Sequence, residues 1–118
     1  MENILLSNSH TFAVTIIKLF KSLTENGGEQ TLPRQLLKSG TSIGALVREA
    51  QNAESSADFV HKLGMAQKEC DETIYWLELL HETGNLTDDQ CLPLKREAES
   101  LLKVLKSSIL TAKKNMQK

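Results

Sequence analysis

The feature that most constrains this chain is a long apolar stripe within residues 55–80. Its core positions step alternately by four and three residues: Phe59, Leu63, Ala66, Cys70, Thr73, Leu77 and Leu80. This spacing is typical of a helix that packs on its neighbours at a shallow angle. No proline interrupts the segment before Gly84. The pattern therefore predicts one long helix at the centre of a helical bundle.

The rest of the chain agrees with an all-helical protein. Its 118 residues are enough for one domain with a single modest core. Apolar residues recur with helical rather than alternating period, and they predict helices over about residues 9–25, 32–53, 56–83 and 88–116. Because the connections are short, consecutive helices should be antiparallel. The predicted fold is all-α: a single domain (1–118) forming a left-handed, antiparallel up-and-down four-helix bundle.

Residues that favour helix ends divide the chain into these segments. A side-chain oxygen just before a helix accepts a hydrogen bond from a free N–H of the first turn. The candidate N-caps are Ser7 or Ser9, Thr31, Ser55 and Thr87. Gly84 is the predicted stop of the third helix. Pro93 leaves two possibilities for the fourth helix, a regular start only near Leu94 or a kink in its first turns.

Two glycines four residues apart, Gly40 and Gly44, lie within the second predicted helix. Each weakens a helix by about 1 kcal/mol relative to alanine. One explanation is close approach of a neighbouring helix, and the other is a break near Ser39-Gly40. We favour close packing, since Gly40 falls on the core stripe of this helix between Leu36 and Ile43.

The sequence contains no pattern that indicates catalysis. Glu78 and His81 are spaced as in carboxylate-bridged di-iron bundles, but those need a second such pair, and neither His10 nor His61 has a glutamate three residues earlier. Nucleophile motifs and phosphate-binding glycine loops are also missing. We therefore expect no enzyme activity, no metal and no cofactor.

Cysteine and hydropathy patterns favour a cytoplasmic protein. Cys70 is expected to be a buried apolar residue and Cys91 a partly exposed thiol, without a disulfide or metal between them. No apolar run approaches the about 18 residues that cross a membrane. The first residues, MENILLSNSH, do not resemble a signal peptide.

Basic residues are the first candidates for binding. The net charge is −1, yet residues 55–86 hold two basic and six acidic residues, and residues 87–118 hold seven basic and four acidic ones. On the second and fourth helices the basic residues share faces away from the core: Arg34, Lys38, Arg48, Lys95, Arg96, Lys103, Lys106, Lys113 and Lys114. Such faces are either ordinary solvated surface or contacts for RNA or DNA phosphates. No aromatic residues are interleaved with them, which argues against base stacking.

A second apolar stripe on the first and third helices predicts an interface between subunits. Its members lie beside the core stripes: Ile17, Phe20, Val60, Tyr75, Trp76 and Leu79. A small bundle cannot bury this much apolar surface alone. We therefore expect a homo-oligomer.

The segment Gln35–Leu80 resembles the bacterial four helix bundle protein family, first noticed as reading frames in intervening sequences of the 23S ribosomal RNA gene. The resemblance is carried by SGTSIGA (39–45), EA (49–50), AES (53–55), ADF (57–59), KL (62–63), KE (68–69), ET (72–73) and YWL (75–77). Where members usually read SIGAN followed by AEA, this chain has Leu46 in place of Asn and Arg48 in place of Ala.

The resemblance implies an antiparallel four-helix bundle that assembles into a ring, commonly a homopentamer. It also implies candidate partners, since a basic relative binds a reverse transcriptase and nucleic acid. From the residues and the resemblance together we expect a non-enzymatic bundle, most simply a pentamer that binds RNA or DNA. The alternative is a protein-interaction adaptor or scaffold that does not bind nucleic acid.

Overall fold

The computed structural model describes residues 3–118, which form four α-helices and no β-strand. Helix α1 spans Ile4–Thr24, α2 spans Thr31–Gln51, α3 spans Ser56–Glu82 and α4 spans Asp88–Met116. All four predicted helices are present, and the third and fourth agree with their predicted bounds to within one residue. The all-α fold class is confirmed.

The helices form an up-and-down bundle with an extent of 53 Å along its longest axis. Each helix packs against the next in the chain, and α4 returns to pack against α1. Within residues 3–118, the backbones of α1 and α3 do not lie side by side and neither do those of α2 and α4, so each of these pairs stands diagonally across the bundle. The contact between α1 and α4 is the smallest of the four.

The two glycines of α2 let α1 approach closely. A β-carbon on Gly40 would lie 2.9 Å from Cγ1 of Ile16, and one on Gly44 would lie 3.1 Å from the carbonyl oxygen of Ser9. Both distances are shorter than an ordinary van der Waals contact, so any larger residue would force the neighbouring atoms of α1 to shift. Helix α2 is continuous through Gly40. The close-packing interpretation is confirmed, and the alternative of a break or hinge is wrong.

The starts of α1 and α2 differ from the predicted ones. Helix α1 begins five residues earlier than expected, capped by the Asn3 side chain, which accepts a hydrogen bond from the Leu6 N–H. Ser7 and Ser9 are therefore not caps; Ser9 is buried, and its hydroxyl donates to the Leu6 carbonyl. At α2 the N-cap is Gln30 rather than Thr31, which is already the first helical residue.

The reversal between α3 and α4 follows the predicted chemistry. Gly84 adopts a positive φ of 78°, its N–H donates to the His81 carbonyl, and the next N–H donates to the Leu80 carbonyl. These two bonds form a Schellman motif. Thr87 and Gln90 then form a full capping box, each side chain accepting from the other's backbone N–H. Helix α4 runs unbroken from Asp88 through Pro93, so the later start near Leu94 is wrong.

The predicted core stripes meet inside the bundle. On α3 the positions of the predicted core stripe from Leu63 to Leu80 are all buried, and Phe59, at the start of the stripe, is partly buried. One polar contact joins α2 and α3 within this core. The buried hydroxyls of Ser39 and Thr73 are hydrogen-bonded at 2.9 Å, and the Thr73 hydroxyl also lies within hydrogen-bond distance of the Glu69 carbonyl oxygen of its own helix.

Helix α4 projects beyond the start of α1. The two helices are antiparallel, and Ile4, the first residue of α1, borders the same groove as Val104 of α4. The last three turns of α4 (105–116) therefore have no α1 beside them. Met116, predicted on the core stripe, is for that reason 47% exposed. We call residues 105–116 of α4, with the adjacent C-terminal turn of α2, the projecting end.

Candidate nucleic-acid and assembly surfaces

The three basic residues predicted on the outer face of α2 are exposed but differ in their surroundings. The Arg34 guanidinium donates to a side-chain amide oxygen one turn earlier (2.8 Å) and lies 6.0 Å from the centre of the Phe20 ring. Lys38 lies near Glu69 of α3; burial raises the pKa of Glu69, and the Lys38 charge opposes that rise. Arg48 borders an open groove between α1 and α2, and within residues 3–118 its side chain has no hydrogen bond or ion pair.

The basic residues of α4 also fall into two groups. The Lys95 ammonium donates to a carboxylate oxygen of Glu78 on α3 at 2.8 Å, and this contact raises the pKa of Lys95. Arg96 borders the groove between α1 and α4. The remaining members are exposed and form no ion pair in the described part of the chain: Lys103, Lys106, Lys113 and Lys114.

The basic faces of α2 and α4 do not form one continuous surface. Because α2 and α4 are diagonal, their outer faces point to different sides of the bundle along most of its length. At the projecting end, Gln51 of α2 and Asn115 of α4 border one shallow groove. Arg48 lies one turn before the end of α2, and Lys106, Lys113 and Lys114 lie on the projecting turns. Lys106, Lys113 and Lys114 therefore lie together near the end of α4, and Arg48 lies apart from them beside the groove between α1 and α2.

The predicted interface residues do not form one patch. Ile17 and Phe20 lie on α1, diagonally opposite α3, which carries the other four. Trp76 is partly buried against its own core, with its ring centroid 5.2 Å from that of Tyr75. Tyr75 is 54% exposed and is the most accessible of the six. Exposed apolar surface on the α3 side is thus centred on Tyr75.

Sequence reasoning missed exposed apolar residues on α4 and at the start of α1. Leu92, Val104 and Leu110 lie off the core stripe of α4 and are between 39% and 56% exposed. Val104 and Ile4 border the groove between α1 and α4, which has a volume of about 390 Å³. The available signal was the position of Leu92 and Leu110, which at 100° per residue both fall on the side of α4 opposite its core.

The pair Glu78 and His81 serves the packing of α3 on α4. Glu78 binds Lys95, as described, and the His81 ring nitrogen is hydrogen-bonded to the Asp88 carboxylate at the start of α4. Among residues 3–118, no three His, Cys, Asp or Glu side chains converge as metal ligands would. Glu78 and His81 of α3 thus each contact a different residue of α4.

Both cysteines are buried free thiols, so the prediction of a partly exposed Cys91 is wrong. The Cys70 thiol donates to the Ala98 carbonyl at 3.1 Å, and Cys91 is directed at the Leu77 carbonyl. Burial, reinforced by the nearby Asp71 carboxylate, raises the pKa of Cys70 to about 12, and burial also raises that of Cys91. Both thiols are therefore held in the unreactive protonated form.

Hydropathy along the helices of residues 3–118 bears on membrane insertion. Within that range we find no helix with both the length and the apolar character required to span a bilayer.

The fold and its surfaces define a class: a small antiparallel four-helix-bundle protein whose exposed faces are the candidates for function. The family model for the 23S rRNA-intervening sequence protein matches residues 1–107, and the chain belongs to that family. The family resemblance noted in the sequence is thereby confirmed.

A solved structure supports this assignment. The chain is similar to the crystal structure of a protein with unknown function from the S23 ribosomal protein family of Bacteroides thetaiotaomicron VPI-5482. The two share 43% sequence identity over 90% of this chain and 98% of that one, with a TM-score of 0.87. A comparison with curated proteins finds no match.

Proposed function

We propose that this protein is a non-enzymatic homo-oligomer, in its simplest form a pentameric ring, that binds the phosphate backbone of RNA or DNA through its projecting end. The observation that carries the proposal is the group of exposed basic residues on the last turns of α4, Lys106, Lys113 and Lys114, which form no ion pair within residues 3–118. Phosphate contacts need such free cationic groups, and they do not depend on base sequence.

Oligomerisation compensates for the low net charge of the chain. A single protomer has a net charge of −1, so its overall field does not favour an anionic partner. A ring repeats the projecting end once per subunit. Several weak contacts to one strand then act together, because the second and later contacts are intramolecular. Binding is therefore expected to be strong only for nucleic acid long enough to reach more than one subunit.

The test measures binding of labelled mixed-sequence RNA and DNA by fluorescence anisotropy at about 50 mM salt and above. The double variant Lys106→Glu, Lys113→Glu should weaken binding at least tenfold and lower the salt dependence, since each lost phosphate contact removes about one unit of slope. A matched control is Lys18→Glu together with Lys21→Glu, which makes the same charge change on exposed residues of α1.

The three possible results of this experiment lead to different conclusions. Loss of binding in the α4 variant with little change in the α1 variant supports the projecting end as the binding region. Equal losses in both variants would show that only total charge matters. No binding of the wild-type protein at low salt would remove the nucleic-acid function altogether.

A further inference from the structure

A polar groove of about 510 Å³ lies between α1 and α2, at the end of the bundle where α1 begins. Its size is within the range of about 300–1,000 Å³ that is typical of small-ligand sites. Most of the side chains that line it are polar, and they come from both helices: Asn3, Ser7, His10, Thr11 and Arg48. The groove therefore has the dimensions and the polarity of a site for a small polar molecule.

The packing of α1 on α2 fixes the borders of this groove. A β-carbon on Gly44 would lie 3.6 Å from the backbone nitrogen of His10, so the His10 side chain starts where the two helices touch. At the end of the groove the Asn3 side-chain amide donates to the Gln51 side-chain oxygen at 2.7 Å. Arg48 lies one turn before Gln51 on α2. Both His10 and Arg48 thus extend from helix positions that are held in place.

Three side chains that border the groove have hydrogen-bonding groups without a partner. Within residues 3–118 the Ser7 hydroxyl, the His10 ring and the Arg48 guanidinium form no hydrogen bond and no ion pair. A guanidinium has five N–H donors and no acceptor, an imidazole donates through at least one nitrogen, and a hydroxyl can also donate. The free groups are therefore mainly donors, which suits a ligand rich in acceptors.

The charges around the groove favour an anion. Helices α1 and α2 carry five basic residues and one acidic residue, although the whole chain has a net charge of −1. That acidic residue, Glu49, is bound by Lys62 of α3 at 3.2 Å. The acidic residues of the turn 25–30 lie at the opposite end of both helices, and Glu54 does not border the groove. Among the described residues that line the groove none is acidic, so its field attracts negative charge.

We infer that this groove binds a phosphate monoester of about nucleotide size, held by Arg48, His10 and Ser7. A phosphate monoester carries a charge of about −1.5 to −2 at neutral pH and has three strong acceptor oxygens, which match one cation and two further donors. A guanidinium binds phosphate through two parallel N–H bonds. Because the groove is larger than a phosphate group, the attached organic group is expected to lie along Leu6 and Thr11.

The inferred site is separate from the proposed function. It lies on a single protomer, needs no ring, and involves none of the α4 residues Lys106, Lys113 and Lys114. A monoester also differs from the backbone phosphates of a strand, because it carries a second ionisable oxygen. Monoesters occur both in free nucleotides and at the phosphorylated end of a strand, so the experiment has to distinguish these two sources.

Isothermal titration calorimetry of the 118-residue chain at about 50 mM salt tests the site with adenosine 5′-monophosphate as the probe. Adenosine, which lacks the phosphate, is the matched ligand. We expect the monophosphate to bind with a Kd below about 1 mM and adenosine to give no heat of binding.

Variants of the groove test its residues. Arg48→Gln should weaken binding of the monophosphate at least tenfold, because it removes hydrogen bonds from a charged group, and His10→Ala should weaken it about fivefold. Arg34→Gln is the matched control, since it removes the same charge from an exposed position of α2 outside the groove. All three positions are exposed, so the thermal unfolding midpoint of each variant should equal that of the wild-type protein.

A competition experiment identifies the source of the monoester. It uses the double variant Lys106→Glu, Lys113→Glu, so that the projecting end does not contribute, and compares a trinucleotide with a 5′ phosphate to the same trinucleotide with a 5′ hydroxyl. Displacement of the nucleotide by the phosphorylated strand alone supports a site for strand ends. Displacement by neither strand supports a site for free nucleotides.

Four results would overturn the inference: no binding of the monophosphate, equal binding of adenosine, equal losses in Arg48→Gln and Arg34→Gln, or equal displacement by both trinucleotides. None of them bears on the projecting end. Conversely, if the double lysine variant binds the monophosphate normally while the wild-type protein fails to bind long nucleic acid, the proposed function is wrong and the groove site stands.

Discussion

Helix α1 packs on two neighbours in very different ways. Against α2 its backbone lies so close that a β-carbon on Gly44 would be 3.1 Å from the Ser9 carbonyl oxygen. Against α4 it leaves a groove of about 390 Å³, bordered by residues such as Thr11 and Ser100. One helix can thus be held firmly on one side and loosely on the other. The difference lies in the facing residue, which is glycine on α2 and a polar or larger side chain on α4.

The largest effect should come from filling the tight contact. Gly40→Leu would place a full side chain where a β-carbon alone would already lie 2.9 Å from Cγ1 of Ile16. We expect the free energy of unfolding to fall by about 3 kcal/mol, the upper range for overpacking. Urea unfolding followed by circular dichroism measures this change. An unchanged midpoint would show that α1 can move away from α2 at little cost.

A smaller substitution distinguishes the two glycines from each other. Gly44→Ala should cost about 1 kcal/mol, because its methyl group meets the backbone at Ser9, and this strain exceeds the gain in helix propensity. Gly40→Ala should cost more, since its methyl group would lie 2.9 and 3.0 Å from the two γ-carbons of Ile16, a fully buried β-branched side chain with little freedom to turn away. The same urea titration compares the two variants. If Gly44→Ala proves the more harmful, the backbone rather than the side chain sets the limit.

The smallest effect should come from the open side of α1. Ser100→Leu adds apolar volume in the groove between α1 and α4, where there is space and an apolar wall. We expect the free energy of unfolding to change by no more than about 0.5 kcal/mol, with a rise favoured by the new contacts. A loss comparable to that of Gly40→Leu would mean that both sides of α1 are equally tight.

Much of the fold followed from the sequence because the buried positions repeat with a fixed period. The stripe from Leu63 to Leu80 and the two glycines of α2 were recognisable, since each depends on positions within one helix. The start of α1 was not, because Asn3, Ser7 and Ser9 are all suitable caps, and only the packing of α2 against Ser9 decides among them. Met116 was predicted to be on the core stripe because the apolar pattern of α4 continues beyond Val104. The sequence does not show that α1, which is antiparallel to α4, has no residues beside that last part of α4.

The candidate surfaces were predictable only in part. Charge and helical period identified the basic residues, but not which of them bind a neighbour. Lys95 is engaged by Glu78, seventeen residues earlier on another helix, and that pairing depends on how α3 and α4 align. The outward leucines of α4 were overlooked because the strong core stripe dominates the pattern.

The capped reversal between α3 and α4 has a consequence for how the chain reaches its fold. Its hydrogen bonds join Leu80, Gly84, Thr87 and Gln90, which are near neighbours in sequence, so closing this turn costs little chain entropy. Local contacts of this kind form early in folding. The α3–α4 hairpin should therefore be the first part of the bundle to become protected from hydrogen exchange during refolding. Helix α1 should dock last, because it packs on Gly40 and Gly44, which are far from it in the sequence.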